Sequence, residues 1–146
     1  MKFKKFKSSL SVTVNTKKYE IDWNRSVSKP QKKTKDALKT LWENDYVLEE
    51  FPIPGSKKRI DLLNWTKKII IEVSPSGSHE YNDFFHKSRS SFYKVLRVDQ
   101  EKRIWAFDNG FSYLMLGDNE LLNLNKEKIE FLLKTNLEDG VEDDEI

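Results

Sequence analysis

Two acidic residues interrupt two short apolar segments near the middle of the sequence. Asp61 lies in a segment from Lys58 to Asn64, and Glu72 lies in one from Lys68 to Val73. Aliphatic residues dominate both segments, which favours β-strands, and the short link between them favours an antiparallel hairpin. In such a hairpin the two acidic residues lie opposite or diagonal to each other, with Cβ atoms about 5–8 Å apart. The sequence therefore predicts two carboxylates converging on one face of a sheet.

Two carboxylates at this separation need a positive partner, because like charges in a partly buried site repel and shift each other's pKa. Magnesium takes one or two carboxylates together with water and phosphate oxygens. Bound there, the ion can activate water and neutralise charge on a phosphodiester. The predicted ligands are Asp61, Glu72 and the carbonyl oxygen of Val73. The competing interpretation is that both acids face solvent, but Glu72 lies in an apolar segment typical of a central strand.

The composition limits what surrounds these acids. A chain of 146 residues, of which 37% are apolar, predicts one domain with a single core. The longest apolar run is only about four residues, which excludes a membrane-spanning segment. The chain has no cysteine, which excludes disulfides and thiolate metal sites. We therefore expect a protein of a reducing cytoplasm.

The charges are distributed unevenly along the chain. Residues 1–40 carry a formal charge of +9, whereas residues 136–146 carry −6. A basic front end indicates a polyanionic partner, and the acidic tail could compete with that partner. An ordinary solvated, lysine-rich surface is the alternative interpretation.

The hydrophobic pattern predicts the elements that position the acids. An N-terminal β-hairpin is expected, then a helix, three strands, a second helix and two more strands around Asn109-Gly110, followed by a last helix. The expected segments are Leu10–Val14 and Tyr19–Trp23 for the first hairpin, Pro30–Trp42, Tyr46–Ile53, Lys58–Asn64 and Lys68–Val73, the helix that begins at Asn82 and includes Leu96, and the pair Arg103–Asp108 and Phe111–Leu116. Such an order predicts an α+β or mixed α/β domain.

Four units follow from these elements. They are a basic arm with a β-hairpin (1–28), a core (29–117), a C-terminal helix (118–136) and an acidic tail (137–146).

The acids and the order of the elements around them resemble the PD-(D/E)XK nuclease superfamily. The family pattern is an Asp, a spacer and Glu-x-Lys, and here Asp61 is followed after ten residues by Glu72-Val73-Ser74. The resemblance covers about Pro30 to Leu116. It implies a restriction-endonuclease-like αβββαβ core and a Mg²⁺-dependent endonuclease of DNA, in which Mn²⁺ can substitute. Two positions depart from the pattern, since Ile60 replaces a proline and Ser74 replaces the lysine.

The resemblance also implies further site residues. Ser74 together with Lys87 or His79 would position the attacking water in place of the absent lysine. An acid from the first helix often assists in this family, and Asp36 is favoured over Glu43 for that role.

Lysine and arginine side chains are the expected contacts to the DNA phosphates. On the first helix the basic residues are Lys29, Lys32, Lys33, Lys35 and Lys39, and elsewhere the candidates are Lys57, Lys58, Arg59 and Arg89. By resemblance, a homodimer or homotetramer is expected, in a host cytoplasm if the protein is phage-encoded. The alternative function is a catalytically inactive nuclease fold that binds nucleic acid or docks in a phage or mobile-element assembly, which the Ser74 substitution favours.

Overall fold

The computed structural model describes residues 1–75 and 89–140, with the side chains of 1–75 and 99–140. The strands are β1 Lys2–Lys4, β2 Ser11–Thr13, β3 Val47–Pro52, β4 Arg59–Asn64, β5 Ile69–Val73 and β6 Ser112–Leu116. The helices are α1 Lys29–Trp42, α2 Arg89–Asp108, α3 Asp118–Leu121 and α4 Lys126–Thr135. Within these ranges the chain is a mixed α+β protein, and the expected strands β3, β4 and β5 are confirmed.

A four-stranded sheet with the order β3-β4-β5-β6 forms the centre of the molecule. The first three strands run antiparallel to their neighbours, and β6 runs parallel to β5 because α2 connects them. Residues of α1, α3 and α4 pack on one face of this sheet, which we call the α1 face. Residues of α2 and of the small β1–β2 sheet pack on the other, which we call the α2 face. The core thus consists of two apolar layers separated by the sheet.

The first helix starts and ends as its sequence predicts. The hydroxyl of Ser28 accepts a hydrogen bond from the Gln31 amide at the N-terminus, where Pro30 fits without loss of a donor. Ala37, Leu38 and Trp42 recur at helical spacing and are buried against the sheet. This packing places α1 over the sheet, where it contacts β5, α3 and α4.

The N-terminal hairpin has different strands from those expected. Ser11–Thr13 pairs with Lys2–Lys4, whereas the segment from Tyr19 to Trp23 forms no second strand and follows a 3₁₀ turn at Lys17–Tyr19. Phe3 explains the difference, because its ring is buried between Phe51 and Trp105. Because this ring is buried, residues 2–4 of the basic arm pair with Ser11–Thr13, in place of the expected second strand.

The expected hairpin around Asn109-Gly110 is wrong. Arg103–Asp108 is the end of α2, and the Asn109 amide donates to the carbonyl of Trp105. Trp105 and Ala106 are both buried on the α2 face. Gly110 has φ +78°, a conformation that terminates a helix as readily as it closes a hairpin, so the dipeptide alone cannot separate the two.

The first residues of the acidic tail lie along β6. Glu138 and Tyr113 exchange two backbone hydrogen bonds of 2.8 and 2.9 Å. A Cβ on Gly140 would lie 2.6 Å from the Phe107 side chain, so glycine permits this close approach. The expected C-terminal helix is confirmed as α4, while residues 141–146 lie outside the described residues. In the part of the chain that is described, no helix is long and apolar enough to cross a membrane.

Lys35 is the one basic residue of α1 whose surface position is contradicted, because it is only 1% exposed. Its ammonium group donates to the carbonyls of Asp22 and Arg25 and to the carboxylate of Glu49, at 2.5 Å in the last case. Lys35 thereby fastens the loop before α1 to the helix and to β3.

Replacing Lys35 with methionine should lower the free energy of unfolding by about 3 kcal/mol, because Glu49 and two carbonyls lose their donor. Urea denaturation followed by tryptophan fluorescence would measure this. Lys32→Met is the matched control, since the ion pair of Lys32 with Asp36 is exposed and should be worth less than about 1 kcal/mol. Equal effects of the two substitutions would contradict the buried role of Lys35.

Candidate functional site

The hairpin of β4 and β5 brings Asp61 and Glu72 together. Its register pairs Leu62 with Ile71, and the next residues outward are the two acids. There the two strands are joined by hydrogen bonds from backbone amides to side-chain carboxylates, in place of backbone–backbone hydrogen bonds. Glu72 Oε2 accepts from the Asp61 amide at 2.6 Å, and Asp61 Oδ2 accepts from the Val73 amide at 2.8 Å. Each acid is therefore fixed to the other strand through a charge-assisted hydrogen bond.

Strands β3 and β4 change faces at this point, which the sequence analysis did not predict, since Leu48 and Phe51 of β3 both pack on the α2 face although they are three residues apart. Ile60 and Leu62 were expected on one face, yet Leu62 packs on the α1 face and Ile60 on the α2 face. On β3 the residue opposite Asp61 is Glu50, which has φ +49°. A left-handed conformation costs a non-glycine residue about 1–2 kcal/mol, and such strain accumulates at functional sites.

Glu50 is a third acid in the same row. It belongs to β3, next to the strand of Asp61, and its charge raises the pKa of Asp61. Its Oε2 accepts from the amide nitrogen of buried Gln31 on α1 at 3.0 Å. The sequence analysis missed Glu50 because it lies in a strand with two adjacent glutamates and no motif.

Burial and repulsion shift the proton affinity of the acids. Glu72 is 4% exposed, and burial, followed by the charge of Asp61, raises its pKa to about 7. The pKa of Asp61 is also raised, chiefly by burial, although the Val73 amide and Lys102 oppose the shift. Ionisation of both acids is therefore less favourable here than in water.

Among the described side chains, Lys102 is the cation that pairs with Glu72. Its Nζ lies 2.7 Å from Glu72 Oε1. Burial lowers the pKa of Lys102, but the charges of Glu72 and Asp61 outweigh it and raise that pKa. The sequence analysis missed Lys102 because it placed residues 103–108 in a strand. A helix that continues to Asp108 would have put Lys102 one turn from buried Trp105 and Ala106.

A buried tyrosine lies beside this group. Tyr113 is fully buried, and its hydroxyl has no hydrogen-bond partner among the described residues. Burial and then the charge of Glu72 raise its pKa, so the phenol stays neutral. The Arg103 guanidinium lies 4.8 Å from the centre of the ring and its Nε is 2.9 Å from Glu138 of the tail.

Of the other predicted catalytic residues, those that the structure describes form no hydrogen bond or ion pair with this pair through their side chains. Asp36 lies on the exposed side of α1, where it pairs with Lys32 at 2.9 Å. Glu43 caps the far end of the same helix. Ser74 follows β5, and its backbone amide donates to Leu116. His79 and Lys87 lie outside the described residues.

Val73 and the described DNA-binding candidates lie in different parts of the structure. Val73 contacts Asp61 through its amide rather than through its carbonyl oxygen. Lys57 and Arg59 are exposed near the start of β4, and Lys58 pairs with Glu101 at 3.2 Å. Lys33 approaches the carbonyl of Leu121 at 3.4 Å, and Lys32 has been described above. The side chain of Arg89 lies outside the described ones.

Comparisons with known proteins do not extend this description. The chain matches no protein-family model, no curated protein and no solved structure. Among the described residues, no group of three or more His, Cys, Asp or Glu side chains is arranged to hold a metal ion. The chemistry of the site therefore has to be argued from Asp61, Glu72 and Lys102.

The proton affinity of Glu72 can be tested directly. Carboxyl ¹³C NMR should show Glu72 titrating near pH 7. Asp61→Asn should lower this pKa because it removes a repelling charge, and Lys102→Met should raise it because it removes an attracting one.

The exposed Lys134→Met on α4 is the control and should leave the titration unchanged. A wild-type Glu72 that titrates at its ordinary value near 4.5 would show that this cluster is wrongly described.

Proposed function

We propose that this protein is a metal-dependent endonuclease that hydrolyses DNA phosphodiester bonds. The observation that supports the proposal is the pair Asp61 and Glu72, fixed to neighbouring strands by backbone amides and contacted by Lys102. Two hard-oxygen acids beside a lysine are a combination suited to phosphoryl chemistry. The element order from α1 to β6 agrees with the restriction-endonuclease-like core that the sequence resemblance implies.

Asp61 and Glu72 would hold the metal ion. Their donor set fits Mg²⁺, which needs only one or two carboxylates when water and phosphate oxygens complete its coordination. Burial raises the pKa of both acids, and the charge of Asp61 raises that of Glu72 further, so a divalent cation would stabilise the ionised pair. Such an ion lowers the pKa of bound water and neutralises charge on the phosphate. Asp61 is the more accessible of the two acids.

Lys102 would take the role of the lysine that the family pattern places at Ser74. Its ammonium group reaches Glu72 from α2, across the α2 face of the sheet, rather than from β5 itself. In that place it can orient a water molecule and balance negative charge that develops on the phosphate. A homodimer or homotetramer, which cutting both strands would require, remains part of this proposal.

A catalytically inactive DNA-binding module is the second candidate function. Both carboxylate oxygens of Glu72 already have protein partners, Lys102 and the Asp61 amide. If those contacts persist with DNA present, the acids serve only to join β4, β5 and α2. This alternative predicts DNA binding without cleavage.

Cleavage assays separate the two candidates. With Mg²⁺ or Mn²⁺, wild-type protein should nick supercoiled plasmid or cut branched DNA. Asp61→Asn, Glu72→Gln and Lys102→Met should each slow cleavage by about 100-fold or more, because removal of one preorganised charged group costs that much. Gel electrophoresis of timed samples provides the measurement.

Glu127→Gln on the exposed side of α4 is the matched control and should cut at the wild-type rate. Circular dichroism of each variant checks folding. If wild-type protein cuts no linear, nicked, four-way or single-stranded DNA with either metal, the inactive module is the better description.

Metal binding can be measured without DNA. Isothermal titration calorimetry should detect Mn²⁺ binding to wild-type protein and weaker binding to Asp61→Asn. The affinity should rise by up to about tenfold per pH unit below pH 7 and level off above it, because the ion must displace the proton on Glu72. An affinity that is independent of pH between 6 and 8 would place the ion elsewhere.

A further inference from the structure

A groove with a volume of about 590 Å³ lies between α1 and the loop that precedes it. Basic side chains line it, namely Arg25, Lys29, Lys32 and Lys39, and Asp36 is its one acidic lining residue. The partly buried ring of Trp23 also borders it. We call this surface the basic groove.

The charges of the basic groove favour an anionic ligand. The carboxylate of Asp36 is already paired with Lys32. Arg25, Lys29 and Lys39 are exposed, and none of them forms an ion pair with another described residue. Several positive charges along one open groove suit the regularly spaced phosphates of a nucleic-acid strand.

Buried polar contacts hold the wall of the basic groove in place. Lys35 donates to the carbonyls of Asp22 and Arg25, and the Asp22 amide donates to Glu49 at 2.8 Å. The groove is therefore shaped before any ligand arrives, and Arg25 takes part in this network only through its backbone.

The basic groove is also connected to the acidic pair. The Val27 amide of its wall donates to Gln31 Oε1 at 3.4 Å, and Gln31 Nε2 donates to Glu50. Glu50 in turn lies opposite Asp61 in the sheet. Gln31 is 3% exposed and thus links the groove to the row of acids through one buried side chain.

A second, smaller cleft continues the surface towards β5. It has a volume of about 280 Å³, shares Lys29 with the basic groove, and is lined also by Lys33 and Pro75. Pro75 is only two residues beyond Val73, whose amide binds Asp61. A mainly basic surface, interrupted by Asp36 and Asp118, therefore runs from Arg25 to Pro75, which follows the strand that carries Glu72.

We infer that the basic groove binds the phosphodiester backbone of the DNA whose scissile phosphate lies at Asp61 and Glu72. The inference rests on the proposed nuclease function and adds the path of the substrate across the protein. DNA enters past the N-terminal end of α1 and its phosphates contact Arg25 and Lys29. Lys32 and Lys33, which are exposed on α1, contribute further along the groove.

Binding assays without metal test this path independently of cleavage. Fluorescence anisotropy with a fluorescein-labelled DNA duplex in EDTA should give a dissociation constant at least tenfold weaker for Arg25→Glu/Lys29→Glu than for wild-type protein. The salt dependence of binding should also fall, with the slope of log K against log salt smaller by about 2, because two phosphate contacts are lost. Lys29 is the first residue of α1, where glutamate is well tolerated.

Lys17→Glu/Lys134→Glu is the control with the same change in net charge, made on exposed lysines outside the groove. It should bind within about twofold of wild-type protein, with the salt slope of wild-type protein. Equal weakening by both pairs, or no binding by wild-type protein, overturns the inference. Cleavage by wild-type protein together with unaltered binding by Arg25→Glu/Lys29→Glu overturns it while the nuclease function stands. Groove-dependent binding without cleavage supports the groove and rejects the nuclease.

Discussion

The burial of the Glu72 carboxylate beside that of Asp61 is the constraint on which the candidate site depends. Where β4 and β5 stop pairing, Asp61 and Glu72 bind each other's strands through backbone amides. Burial and then the charge of Asp61 raise the pKa of Glu72 to about 7. Lys102 of α2 pairs with Glu72, while Glu50 of β3 has a left-handed backbone and binds Gln31.

The centre of the fold follows from short-range patterns in the sequence. The aliphatic strands β4 and β5 and the short link between them defined the hairpin that joins the two acids, because strand period and turn length leave few alternatives. The first helix was equally well specified by Ser28, Pro30 and the buried Ala37, Leu38 and Trp42. These elements are the ones whose local preferences and tertiary contacts agree.

Long-range contacts decided the features that the sequence did not reveal. The pairing of β1 with β2 depends on a core position for Phe3, and the length of α2 depends on burial of Trp105 and Ala106. Once the end of α2 was assigned to a strand, Lys102 could not be recognised as a neighbour of Glu72. Glu50 was missed for a different reason, because its position depends on a change of face in both β3 and β4. Asp36, by contrast, was selected by family resemblance and lies on the exposed side of α1.

The two edges of the central sheet bear on how copies of this protein could associate. On β3, Glu20 forms a bridge to Leu48, and on β6, Glu138 forms one to Tyr113. An edge with occupied amides and carbonyls is a poor template for another chain, and this occupation suppresses aggregation through strand addition. A symmetric assembly would accordingly have to use side-chain surfaces of helices or loops, unless residues 137–140 first detached from β6. Release of that short segment would expose the backbone groups of the β6 edge, to which a strand of another chain could then pair.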